Sequence, residues 1–214
     1  MINSKTRVCV VDDNLSARRA LCRLLEMSGY SVDGFSSAEE FLKAKLTAST
    51  ECLLLDVRLP GMNGVALHEL LQAQHIFLPT IFITGHGDIP MAVHAVKSGA
   101  AGFLTKPFIG AELIAEIEGA LQRFRLATQE YCQAAQVHHR FETLTSREKE
   151  ILALVVKGKL NKQTAAELGI VENTVKVHRR RVMTKMQAES VPDLVLMAQK
   201  LNLINSHDRL RNSV

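Results

Sequence analysis

The first half of the chain carries short apolar runs that stop abruptly at polar residues, spaced by stretches long enough for a helix. Arg7-Val8-Cys9-Val10-Val11 runs into Asp12 and Asp13, and Cys52-Leu53-Leu54-Leu55 into Asp56. Thr80-Ile81-Phe82-Ile83 runs into Thr84, and Ala101-Gly102-Phe103-Leu104-Thr105 into Lys106. Short runs of this kind, alternating with helix-length segments, are the pattern of parallel strands buried on both faces. The reading places strands near 7–11, 31–35, 51–55, 80–83 and 101–104, and helices near 15–28, 37–46, 63–73, 89–98 and 109–125. That alternation predicts an α/β fold: a five-stranded parallel sheet with helices on both faces. Ligands of open α/β sheets bind outside the carboxyl ends of the strands. Asp12, Asp13, Asp56, Thr84 and Lys106 are therefore expected in one pocket.

The chemistry of that set is specific. Three crowded carboxylates repel one another unless a cation sits among them, and oxygen donors of this kind suit Mg²⁺. Lys106 adds a compact positive charge and Thr84 a hydroxyl that both donates and accepts. Together they suit phosphoryl transfer, with positive charge facing the phosphoryl oxygens and one carboxylate as nucleophile. Asp56 stands alone after a central strand and is the expected acceptor. Asp13 is expected to bind the metal directly and Asp12 through water.

These residues carry a resemblance. Residues 1–125 resemble a response-regulator receiver domain of flavodoxin-like fold, through Val10-Val11-Asp12-Asp13, Leu53–Gly64, Thr84-Gly85-His86-Gly87-Asp88 and Lys106-Pro107-Phe108. The resemblance implies that Asp56 accepts a phosphoryl group from a sensor histidine kinase. It implies Asp12 and Asp13 as metal ligands, with the backbone carbonyl of Arg58 completing the shell. It further implies that Thr84 and Phe103 move together on activation, reshaping a fourth helix near Val93–Lys97, and that the bond before Pro107 is cis. Gly85-His86-Gly87 narrows the resemblance to the FixJ-like group. His86 itself reads as a loop residue rather than an acid or base.

Charge divides the chain. Residues 1–125 hold 12 Lys/Arg and 13 Asp/Glu, a net −1; residues 126–214 hold 14 and 9, a net +5. The basic excess lies where a polyanion would be met. No run is long and apolar enough to span a bilayer, and Met1–Lys5 opens no signal peptide, so a soluble cytoplasmic protein with no membrane partner is expected. Cys9, Cys22, Cys52 and Cys132 show no metal or disulfide spacing and are expected as thiols in a reducing compartment.

Residues 126–140 are Gln-rich and free of Gly and Pro. They are expected to extend the fifth helix into a helical linker. Residues 141–214 read as all helical. Thr145 and Glu148 form a capping-box pattern; Asn161 is expected to cap a second helix ending near Gly169. A third helix is expected over 172–187, and a fourth, with Pro192 in its first turn, to near Leu203. The pair joined at Gly169 has helix-turn-helix dimensions. On the third helix Val175, His178, Val182 and Met186 share an inward face, and Asn173, Lys176, Val177, Arg180 and Thr184 lie opposite. Arg179 and Arg181 flank that outer face. Lys and Arg suit guanine edges and phosphates, and Val a thymine methyl.

Residues 143–203 resemble the DNA-binding domain of the NarL/LuxR family, through Leu144–Leu152, Asn161–Ala166 and Asn173–His178. The resemblance implies base contacts from Lys176, Val177 and Arg180 and phosphate contacts from the basic residues nearby. The whole then reads as a DNA-binding response regulator that dimerises when phosphorylated, reads double-stranded DNA and works with RNA polymerase, mostly as an activator. Two departures stand out. Val171 occupies a position where Ser or Thr would cap the third helix, and Arg179-Arg180-Arg181 is unusually basic. A phosphohydrolase of the haloacid-dehalogenase type uses a similar pocket but needs an acid two residues after its nucleophile, where this chain has Arg58. A protein- or RNA-binding module is the other reading; the helix-turn-helix spacing disfavours it.

Overall fold

A computed structural model describes residues 5–46, 49–85 and 98–203. His86 and the expected helix near 89–98, save its last residue, lie outside the described residues. The chain divides into two compact units, Met1–Leu126 and Ala127–Val214.

The first unit is a five-stranded parallel sheet of order β2-β1-β3-β4-β5. Its strands are β1 (Arg7–Val11), β2 (Ser31–Phe35), β3 (Cys52–Asp56), β4 (Thr80–Thr84) and β5 (Gly102–Thr105). Helices α1 (Leu15–Met27), α2 (Ala38–Lys43) and α3 (Gly64–Ala73) follow the first three strands, and α4 (Gly110–Glu142) follows β5. Because side chains alternate across a strand, each central strand serves two cores. Cys9, Val11, Leu53, Leu55 and Phe82 pack with Phe41, Leu67 and Leu71 of α2 and α3. Val8, Val10, Leu54, Ile81 and Ile83 pack with Leu25, Leu113 and Ile117 of α1 and α4. Every residue of β3 and β4 is buried, which is why these strands read as unbroken apolar runs. Edge strand β2, Ser-Val-Asp-Gly-Phe, buries only Phe35 fully.

Strand ends differ slightly from expectation, and the difference bears on the site. Asp56 and Thr84 are the last residues of β3 and β4 rather than the first beyond them, because pairing continues through Asp56↔Ile83 and Thr84↔Thr105. The loops then start helices with polar caps. Asn14 Oδ1 accepts the Ser16 and Ala17 amides to open α1, and Asn63 Oδ1 accepts the Ala66 amide to open α3. Gly64 follows directly, at a point where a Cβ would overlap the Asp56 carbonyl oxygen.

The stretch 126–140 continues α4 without interruption, as a helix of 33 residues. Val137, within that stretch, is buried in the second unit's core with Leu144, Ile151, Leu152, Val182 and Met186. This unit contains α5 (Ser146–Val156), α6 (Asn161–Leu168), α7 (Glu172–Met186) and α8 (Val191–Lys200). The Thr145/Glu148 capping box forms, and Pro192 lies in the first turn of α8. Asn161 does not cap α6. The cap is Leu160, whose amide donates to Gln163 Oε1, while the Asn161 side chain accepts from Arg179 instead. Among its own residues α6 buries only Thr164 and Ala165, a contribution of about 1 kcal/mol per methyl. Gly169 takes the left-handed conformation, φ 63°, that ends α6 and turns the chain into α7. Val171 is the N-cap of α7 and provides no side-chain bond, as its sequence identity implies.

Candidate functional site

The order β2-β1-β3 reverses direction between β1 and β3, the point where a crevice opens in sheets of this kind. Asp12 and Asp13 leave β1 there and Asp56 ends β3. The three carboxylates present oxygens that all lie within 4.8 Å of one another. Asp12 is recessed, 1% exposed, and takes the Asn14 amide on Oδ1 at 2.9 Å. Asp56 is 9% exposed and takes the Arg58 amide on Oδ1 at 2.9 Å. Asp13 is exposed at the mouth.

Lys106 closes the group from the other side. Its Nζ lies 2.8 Å from Asp12 Oδ2 and 2.7 Å from Asp56 Oδ2. It follows β5, the Lys106–Pro107 bond is cis, and its own amide donates to the Thr84 carbonyl at 2.7 Å. Lys106 and Thr84 are thus backbone neighbours. Burial pushes the Asp56 carboxyl above the ordinary aspartate range; Lys106 and the Arg58 amide oppose this, and Asp12 adds to it. Burial works against the Lys106 ammonium, but its hydrogen bonds to Asp12 and Asp56 outweigh that and hold its pKa above the ordinary lysine value. Thr84 is 1% exposed. Phe103 is half-buried, packs against the α2/α3 core and lies beside Phe82 in register.

The donor set fits Mg²⁺: three carboxylates on a partly open pocket, all oxygen, with no nitrogen or sulfur ligand in the group. One participant was not read from the sequence. Arg18 of α1 reaches back with Nη1 to the Asp12 carbonyl at 2.5 Å and the Asp13 carbonyl at 3.4 Å, and so steadies the loop that carries both acids. The Asn14 cap had a local signal, a capping residue just ahead of a helix. Arg18 had none.

In the second unit α7 buries Val175, Val182 and Met186, with His178 half-buried. Asn173, Lys176, Val177, Arg180 and Arg181 are all exposed. Lys176 leans on Glu172, one turn back, at 3.4 Å. Arg179 is half-buried and donates from Nη1 to Asn161 Oδ1 at 3.0 Å. Beneath this face Lys185 Nζ reaches Glu148 Oε2 at 2.7 Å and the Thr143 carbonyl at 3.1 Å, joining α7 to the start of α5.

A doubly wound sheet with this pocket, in one chain with a helix-turn-helix unit, defines the class of two-component response regulators that bind DNA. The comparisons with known proteins agree. Residues 8–118 match the response regulator receiver domain, and residues 142–198 match the luxR family of bacterial regulatory proteins. The chain is 44% identical to nodulation protein W of Bradyrhizobium diazoefficiens over 96% of its own length and 90% of that protein's. It is 42% identical to the transcriptional regulatory protein FixJ of Azorhizobium caulinodans, over 89% of this chain and 90% of that one. Among solved structures, the response regulator StyR superposes with a TM-score of 0.78 at 44% identity, covering 92% of this chain and 99% of that one. Full-length FixJ from B. japonicum gives 0.61 at 37% identity, covering 95% and 100%. The chain belongs to the response regulators with a luxR-type output domain, in the FixJ-like group, a family of transcription regulators. No helix among the described residues is long and apolar enough to cross a membrane.

Proposed function

We propose that this chain is a phosphorylation-controlled transcription regulator, acting in the cytoplasm as a receiver over 1–125, a helical linker over 126–140 and an output domain over 141–214. A sensor histidine kinase provides the phosphoryl group. A carboxylate oxygen of Asp56 attacks phosphorus, the bond to the kinase imidazole nitrogen breaks, and an acyl phosphate forms on Asp56. Asp13, Asp56 and the Arg58 carbonyl, with Asp12 behind them, would hold Mg²⁺, which offsets charge on the phosphoryl oxygens when bound. Lys106 turns from two carboxylates to the new oxygens, the Thr84 hydroxyl donates to one of them, and Phe103 follows Thr84 inward. An apolar hollow of about 290 Å³ lined by Ala17, Leu21, Leu24 and Phe108 lies beside Lys106 and gives the kinase a place to dock.

The phosphorylated chain then dimerises, and two copies of α7 meet half-sites about one helical turn apart on double-stranded DNA. Asn173, Lys176, Val177 and Arg180 face base edges, Arg181 grips phosphate, and the bound dimer works with RNA polymerase to raise transcription. Arg58 stands where a related phosphohydrolase would need an acid, so the proposal is a regulator and not an enzyme. One observation carries the reading: an ammonium 2.7 Å from Asp56 and 2.8 Å from Asp12, delivered by residues far apart in the chain. Footprinting on bound DNA with and without a small-molecule phosphodonor tests it. Wild type gains occupancy with the donor and Asp56→Asn does not; equal occupancy in all four conditions refutes phosphorylation control.

A further inference from the structure

Helix α6, which sets the position of α7, is held only lightly by apolar contact. It is eight residues long; the side chains it buries fully, Thr164 and Ala165, are small, and its one large apolar contact is Leu168, half-buried against the core of the unit. The Thr164 hydroxyl, though buried, finds no hydrogen-bond partner among the described residues. Small side chains keep a helix close to its neighbours but interlock poorly, so they resist sliding and rotation weakly.

Two arginines add polar attachments at its ends. At the start of α6, Arg179 from α7 donates to Asn161 Oδ1 at 3.0 Å. At its end, Arg147 from α5 donates from Nη2 to the Leu168 carbonyl at 2.9 Å, a group left without an intrahelical partner and at the negative end of the helix dipole. The two attachments sit at opposite ends of α6, about 10 Å apart along its axis. Attachment at both ends fixes rotation and slide together, which a single central contact does not.

The three consecutive arginines therefore separate in role. Arg180 and Arg181 are exposed, and their side chains have no polar partner among the described residues. Arg179 is half-buried and already bonded. We infer that Arg179 is a positioning residue of the DNA-reading element, acting through Asn161 to fix α6 against α7 rather than through a phosphate contact of its own. The inference rests on the proposed DNA-binding reading and adds to it a division of labour that composition hides.

The test uses the full chain and two probes: a duplex enriched from a random library by the wild-type protein, and a random-sequence duplex. Affinity is measured across a range of salt for wild type, Asn161→Ala, Arg179→Ala, the double variant, Asn161→Asp and Arg181→Ala. Asn161→Ala and Arg179→Ala each weaken the enriched duplex about tenfold, and the double variant is no worse than either. The slope of log affinity against log salt stays at the wild-type value in both, but falls by about one in Arg181→Ala, which removes a phosphate contact. Binding of the random duplex by Asn161→Ala stays within about twofold of wild type, because non-specific affinity counts charges. Asn161→Asp keeps the acceptor and adds one negative charge, so it weakens both duplexes alike and prefers the enriched one as strongly as wild type does; it also decides the matter if Asn161→Ala melts early. The inference is overturned if Arg179→Ala lowers the salt slope while Asn161→Ala binds normally, if the two losses add, or if Asn161→Asp prefers the enriched duplex as weakly as Arg179→Ala. If wild type enriches no sequence, the DNA reading itself falls and this inference with it.

Discussion

Lys106 is the counterion of a carboxylate cluster, and replacing it should make the first unit depend on an added cation. In Lys106→Met the side-chain stem is kept and the ammonium removed. Asp12 and Asp56, whose side chains are 2% and 11% exposed, are then left facing one another and Asp13. Two carboxylates at the 4.8 Å limit of this cluster repel by about 3 kcal/mol at an effective dielectric near 20. In wild type the ammonium offsets this repulsion; without it the variant should lose about 3 kcal/mol in a chelator, within the range for breaking a buried pair. Urea unfolding of wild type and variant, followed by circular dichroism with chelator and with saturating Mg²⁺, measures it. Because the competing ammonium is gone, Mg²⁺ should restore most of the deficit and bind the variant about tenfold more tightly, a shift of about 1.4 kcal/mol. The reasoning fails if the variant is as stable as wild type in chelator. It fails equally if Mg²⁺ stabilises both proteins by the same amount.

Three further outcomes follow from the geometry. Gly64→Ala places a Cβ onto the Asp56 carbonyl oxygen, so it should cost about 2 kcal/mol in urea unfolding and slow phosphoryl acceptance from a small-molecule donor; an unchanged rate and midpoint would count against the close approach. Lys185→Met leaves Glu148, 2% exposed, with its capping bonds alone, at a cost of about 1–2 kcal/mol at pH 7. Burial raises the Glu148 pKa, but Lys185 and Thr145 together outweigh it and hold the carboxyl below the ordinary glutamate value; the pair's contribution is therefore complete above that value and lost as pH falls through the folded one, so the difference between variant and wild type should shrink in acid. His68 is 3% exposed, with Nδ1 3.2 Å from Thr80 Oγ1 and Nε2 3.2 Å from the Ser98 carbonyl. Burial holds its pKa below the ordinary histidine value against the Ser98 carbonyl and Glu69, so the folded state binds fewer protons and stability is lost as pH falls below about 6.5. His68→Gln should flatten that slope, and an unchanged slope would place the titration elsewhere.

The sheet was legible because of where it lies. Strands covered on both faces leave unbroken apolar runs, and β3 and β4 are buried at every position. The five polar residues at the strand ends were legible for the same reason: each interrupts such a run. Exact strand ends were not, because Asp56 and Thr84 belong to their strands through pairing with a neighbour that local composition does not reveal. Contacts made by long side chains across elements were also hidden. Arg18 reaches the Asp12 carbonyl, Arg179 reaches Asn161 and Lys185 reaches Glu148, and none of these leaves a periodic trace. Asn161 shows the cost of relying on residue preference. It is a good cap by type, yet a guanidinium from the next helix claims its oxygen and the cap falls one residue earlier.

Each central strand of the receiver feeds two separate apolar cores through alternate residues, Cys9 and Val11 on one side, Val8 and Val10 on the other. The sheet is therefore a partition as well as a scaffold. Paired substitutions on opposite sides of it should combine additively, whereas pairs on one side should couple. A lineage could thus remodel the layer of α1 and α4 while the layer of α2 and α3 kept its own fit, each evolving behind a wall one residue thick.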